Sequence, residues 1–341
     1  MSQQISQTNA SKKLVGFAFI NIFIIWGSTF LAMSYGLKGF PPFILSGFRF
    51  LIAGSILFLW KLRRGESLPL LKSWKRNGIT GILILTGGTG LVAWGEQYVS
   101  ATEAAIAIAS GPFWFIIIDK SNWKNYFSDW RIIAGLIAGF IGLILFLNSS
   151  IVTGHNSSNH SLRVTAFVIL ALSSVSWVLG SIYSKNYPAG NSTIMNTAQQ
   201  LLVAGVASLL ISFLRTEWTN FEFNSVPIQA WVGLLFLVFM GSIVAYLSYI
   251  WLLQVRPPAV VSTHIYINPI VAVFVGWFFT KQIISTTQLI GLSIIIVGVI
   301  LTNSGKYKTS IRTKVKIRRG FRISLQKLSV AFHPKFLHKA H

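Results

Sequence analysis

The chain has 341 residues, 53% of them hydrophobic and only 11% charged, with a mean hydropathy of +0.63. A soluble domain carries about a quarter charged residues, so the composition excludes a water-soluble globular protein and predicts an all-α polytopic membrane protein. The formal net charge is +22 and there is no cysteine, which excludes a disulfide framework, a thiolate metal site and a cysteine nucleophile.

The first apolar stretch, 14–35, follows Lys12 and Lys13. It is too long for a signal-peptide core and no small-residue cleavage site follows it, so it reads as a retained helix. Nine more stretches lie near 43–60, 78–98, 102–118, 131–148, 163–184, 194–213, 228–253, 258–279 and 286–303, separated by short polar or Gly/Pro-bearing turns. No connection is long enough to hold a soluble domain. Ten transmembrane helices put both termini on one side. With residues 1–13 and the basic tail 304–341 in the cytoplasm, 24 of the 29 Lys and Arg lie inside and four (Lys38, Arg163, Arg215 and Lys281) outside. That is the asymmetry of the positive-inside rule.

The chain also repeats itself. Pro112 in the fourth span matches Pro269 in the ninth, Gly135 and Gly142 in the fifth match Gly291 and Gly298 in the tenth, and Trp26 in the first matches Trp177 in the sixth. A repeat of five spans is odd-numbered, so its second copy enters from the opposite side. The expected architecture is therefore two inverted five-helix repeats, 14–150 and 163–303, of the kind that places a substrate site between halves near the membrane midplane.

Trp26-Gly27-Ser28-Thr29-Phe30, Phe48-Arg49-Phe50-Leu51-Ile52-Ala53-Gly54, Tyr266-Ile267-Asn268-Pro269-Ile270-Val271-Ala272 and Gly276-Trp277 follow one another in an order that resembles the EamA family of the drug/metabolite transporter superfamily. The resemblance covers about 14–303. It implies a pseudo-symmetric permease of a bacterial cytoplasmic (inner) membrane, of a kind that usually exports amino acids, other metabolites or small toxic molecules. The chain departs from the family where members often end the fourth and ninth spans with Leu-Gly-Glu. Here the ninth ends Thr280-Lys281-Gln282 and the fourth runs into Asp119-Lys120-Ser121-Asn122.

Arg49 lies inside the second span, ~9 Å from its outer edge at 1.5 Å per residue. A charge at that depth faces a cavity or a partner, and Glu96, near the outer end of the third span, is the expected partner. The pair is either a static lock or one that breaks and re-forms, or Arg49 snorkels outward, and Arg49 is also a candidate anion or carboxylate contact. Under the repeat, its place falls near Gln199 and Gln200. Trp26, Thr29 and Met33 share one helical face, as do Trp177 and Ser181, and each stripe is either packing or cavity wall. His264 and Asn268 share a face of the ninth helix, with Tyr246 and Tyr249 at similar depth. His264 is a candidate proton-coupling site or a neutral histidine bonded to tyrosine. Asn268 either lines the cavity or accepts the backbone donors that Pro269 frees. The expected substrate-binding set is Trp26, Thr29, Arg49, Glu96, Trp177, Gln199, Tyr246, His264 and Asn268, around a chamber between the halves.

Gly87-Gly88-Thr89-Gly90 lies inside a span and lacks the Gly-Lys-Ser/Thr of a phosphate loop, so it reads as small residues for close helix packing. No cofactor motif, metal-ligand cluster or hydrolase nucleophile is present, and His155 and His160 have no Cys or carboxylate beside them. An enzyme is not expected. Transport would draw on protons, another ion or the solute's own gradient. The tail after Gly305 holds eleven Lys and Arg and no acid. Its expected partner is anionic lipid, at roughly 1 kcal/mol per basic residue, and not nucleic acid, because nothing supplies base readout. The chain is expected to be a monomer or homodimer that moves a small solute by alternating access. The alternative is a membrane-embedded interaction protein acting through its tail.

Overall fold

The computed structural model describes residues 11–120, 123, 127, 129–153, 160–256, 261–262, 264–280 and 285–304. The basic tail, His155 and Lys281 lie outside them. The described residues belong to one packed unit within Met1–Gly305, and among them every regular element is helical. In chain order these are α1 (Lys12–Gly36), α2 (Pro42–Arg63), α3 (Leu71–Gly95), α4 in two pieces (Ala101–Ile108 and Gly111–Ile118) and α5 (Trp130–Thr153). Then come α6 (His160–Asn186), α7 (Thr193–Leu214), α8 (Ile228–Val255), α9 (His264–Thr280) and α10 (Thr286–Ser304). Six stretches, α1, α2, α3, Ser161–Asn186, α7 and α8, are long and apolar enough to cross a membrane. Shorter apolar helical stretches are Glu103–Ile118, Trp130–Gly142, Ile267–Phe279 and Thr286–Gly298.

The helix starts carry local signals. Pro42 occupies the first turn of α2, where a missing donor costs nothing. Ser100 and Glu103 form a capping box at α4, and Ser192 Oγ accepts from Met195 N to cap α7.

The third span starts earlier than expected, and of the two proline-bearing spans, both expected to be broken, only the fourth is. The helix α3 begins at Leu71 rather than 78, because its first turns bury Ser73 and Asn77 while Lys72 and Lys75 stay exposed. The α4 helix breaks at Ala109-Ser110, where Gly111-Pro112 restart it with the proline in the first turn. By contrast, α9 runs unbroken through Pro269. Both α3 and α8 also contain a wide π-helical stretch, Ile82–Gly90 and Leu237–Ala245.

The helices associate in matched pairs: α1 packs on α8 and α9, α6 on α3 and α4, α2 on α7, and α5 on α10. The glycines that marked the repeat meet each other in the last pair. A Cβ on Gly142 would lie 2.6 Å from Gly291 O, and one on Gly298 would lie 2.5 Å from Gly135 O. As one index rises the other falls, so α5 and α10 are antiparallel, and only glycine permits so close a crossing. Gly54 against Leu202 and Gly205 against Leu51 give the same sense to α2 and α7.

Candidate functional site

A cavity of ≈ 90 Å³ lies in the middle of the helices, lined by Trp26, Thr29, Arg49, Glu96, Trp177, His264 and Asn268 from the expected set. Its walls are α1 and α9 on one side and α3, α4 and α6 on the other, with Arg49 reaching in from α2. The lining comes from both 14–150 and 163–303, and each packed group mixes helices of the two. Phe30, Met33, Thr89, Val92, Ile108 and Ser174 also line it. Of these only Met33 carried a sequence signal for that role, as part of the Trp26 stripe, whereas Thr89 read as packing.

One end of the cavity is closed by aromatic rings. Trp26 sits edge-on to Trp177 at 5.2 Å, and its ring lies 5.1 Å from Tyr249 and 4.8 Å from His264. Trp26 Nε1 donates to Gly241 O at 3.2 Å, inside the π-helical stretch of α8. Ser176 Oγ likewise donates to Leu83 O at 2.7 Å, inside that of α3. Widened turns tend to occur at functional sites, and here each receives a side-chain donor from the helix packed on it.

The polar groups do not pair as expected. Arg49 Nε donates to Ser242 Oγ at 2.8 Å, and no nitrogen of Arg49 comes within ion-pair distance of Glu96. Arg49 Nη1, both carboxylate oxygens of Glu96 and Asn268 Oδ1 are buried without a hydrogen-bond partner. Asn268 therefore does not take up donors freed by Pro269. His264 is bonded through Nδ1 to Val261 O at 2.8 Å and not to a tyrosine. A carbonyl can only accept, so this bond puts the ring hydrogen on Nδ1.

Gln199 and Tyr246 lie away from the cavity. Gln199 Oε1 accepts from Ser73 Oγ at 2.8 Å and Asn77 Nδ2 at 2.7 Å, and Tyr246 OH donates to Gln200 Oε1 at 2.7 Å. These groups form a buried polar cluster that ties α3 to α7 and α8. The repeat put Gln199 level with Arg49, but its side chain turns toward α3, where two donors satisfy its oxygen.

The EamA-like transporter family matches this sequence twice, over residues 14–148 and again over 164–304. The chain belongs to the EamA-like transporter family. Among its relatives is the uncharacterized inner membrane transporter YedA of Escherichia coli strain K12, 30% identical over 295 residues, which span 85% of this chain and 90% of that one. The uncharacterized transporter YoaV of Bacillus subtilis is 23% identical over 83% of this chain and 94% of that one. A crystal structure of a protein, matched with TM-score 0.63 at 16% identity over 88% of this chain and 100% of that one, shares the fold of this family member.

Proposed function

We propose that this EamA-like protein is a secondary transporter that exports a small polar or amphipathic solute across a bacterial cytoplasmic membrane by alternating access. The observation that carries this reading is the set of four unpartnered polar atoms at the cavity, on Arg49, Glu96 and Asn268, inside an apolar helical bundle. Buried groups of this kind are costly unless something pairs with them, and a passing solute with charged or hydrogen-bonding groups does so. Arg49 would take an anionic or carboxylate group. Glu96 and Asn268 would take donors, and Trp26 and Trp177 an apolar part.

At ≈ 90 Å³ the cavity is smaller than the roughly 300–1,000 Å³ of a small-molecule pocket. A metabolite therefore enters only after the walls separate, which supports movement of one helix group against the other. Two inverted five-helix repeats are supported by the double family match, the exchange-symmetric helix pairs and the antiparallel α5–α10 crossing, and termini in the cytoplasm by the Lys and Arg asymmetry. No nucleotide motif is present in the sequence, so the energy would come from protons, another ion or the solute gradient.

The test is uptake of amino acids, nucleosides and cationic drugs into inside-out vesicles. Arg49→Ala should insert normally and raise the apparent KM for an acidic or zwitterionic solute about 10–100-fold, the loss of a charge-assisted hydrogen bond. His264→Ala should also cut flux. Parental transport by both variants removes the site assignment, and no saturable uptake of any solute removes the transport reading.

A further inference from the structure

Resting on the transport reading, we propose that the face of α6 carrying Trp177, Ser181 and Lys185 is a gate. By zipping onto α8, it seals the cavity from the end of the bundle that bears the 64–70 and 187–192 connections.

The three residues are spaced i, i+4 and i+8, so they stand on one side of the helix. They run from the cavity wall, where Trp177 stands, to the last turn of α6. Opposite them, Tyr249 OH receives Trp177 Nε1 at 3.0 Å and meets Ser181 Oγ at 2.6 Å. One turn further out, Lys185 Nζ donates to Leu253 O at 2.7 Å and Arg256 O at 2.9 Å. Carbonyls at a helix C-terminus lack helical partners and carry the negative end of its dipole. Lys185 therefore caps α8 with a charge held on a flexible stem, a contact that can be released without unfolding either helix.

The zipper crosses the seam on which the cavity lies, because α6 packs with α3 and α4 while α8 packs with α1. Under the repeat, α1 and α3 are the counterpart of α6 and α8, and among the described residues no hydrogen bond joins them. One end is latched by polar bonds and its counterpart is not, so the gate must release before solute passes the Lys185 end.

The chain contains no cysteine, so a single reporter thiol can be read cleanly. Thr89→Cys places it on the cavity wall, and a membrane-impermeant maleimide is added to inside-out or right-side-out vesicles. Combining Ser181→Ala, Tyr249→Phe and Lys185→Met should speed labelling from the Lys185 side about tenfold or more, as loss of charge-assisted and neutral hydrogen bonds shifts the closed–open equilibrium. Labelling from the other side should slow. Lys185→Met alone keeps the stem and carries the test should the triple variant lose its fold. An unchanged rate from the Lys185 side, in protein that keeps the parental melting temperature, overturns the gate. Labelling needs no substrate, so a changed rate without any transported solute keeps the gate and removes the transport reading. Measured flux with unchanged labelling does the reverse.

Discussion

Glu66, in the turn after α2, accepts from Ser192 N at 3.0 Å and Ser192 Oγ at 2.6 Å, and pairs with Lys61 at 3.0 Å. Burial pushes this carboxyl up, but the Ser192 and Lys61 contacts together hold it below its ordinary value of 4.5. Its stabilising contribution is present above that ordinary value and is lost as pH falls through the lower folded one. Glu217 sits at the other end of α2, where it accepts from Phe43 N and Ile44 N, each at 3.1 Å. There burial pushes the carboxyl above 4.5, and the two backbone bonds and Arg215 only partly offset it. The fold thus favours protonated Glu217, and that advantage is lost as pH rises through the raised value. Glu66→Gln should lower the melting temperature by roughly 1–3 °C near pH 7, with the gap closing as pH falls below 4.5. Glu217→Gln should melt no lower than the parent near neutral pH, and any gain should shrink on acidification. Melting curves across that range check both, and gaps of the same sign and pH trend would refute the pairing. Neither contact is legible in the sequence, because Glu66 and Ser192 are 126 residues apart and Glu217 and Phe43 are 174 apart. The Ser100–Glu103 box is legible because it spans three. Arg49 and Glu96 show the limit from the other side. Their cost inside a span can be read from residue type, whereas the Ser242 hydroxyl that takes Arg49 Nε lies 193 residues away.

The helices are readable because apolar runs of membrane length and their punctuation are local properties, whereas the Gly135/Gly142 and Gly291/Gly298 spacing reads as a repeat and not as the crossing it forms. The π-helical stretches in α3 and α8 were not readable, since a shift of backbone partners by one residue leaves no composition signal. They appear where Trp26 and Ser176 donate across a helix interface, a condition that exists only after packing. The α5–α10 crossing makes a sharp contrast within one helix. A Cβ on Gly142 meets Gly291 O at 2.6 Å and Ile295 N at 2.8 Å, backbone atoms that cannot turn aside, whereas one on Gly139 meets nothing within 4 Å. Gly142→Ala should therefore cost about 1–3 kcal/mol by overpacking. Gly139→Ala should be neutral or gain up to about 1 kcal/mol from helix propensity. Unfolding of the two variants in detergent separates them, and equal effects would mean that the crossing is looser than the structure has it.

At the scale of the whole molecule, the cavity lies between α1 with α8 and α9 on one side and α3 with α4 and α6 on the other, while α2–α7 and α5–α10 form close antiparallel pairs. The sequence repeat suggests two halves but not this mixing of helices from both, because which helix faces which is set by packing and not by chain order. The arrangement predicts what moves. The two mixed groups should rock about the glycine crossings, since a packed interface with backbone contact resists sliding while a seam closed by a few hydrogen bonds does not. Nitroxides on a cysteine pair at Leu14 and Tyr187, both exposed and on opposite groups, should report a change of about 5 Å or more when solute or pH shifts the equilibrium. A pair at Leu59 on α2 and Leu210 on α7, also exposed, should hold its distance under the same conditions. If the second pair moved as much as the first, the α2–α7 crossing would be a sliding surface. The chamber would then open by a different motion from the one its mixed walls imply.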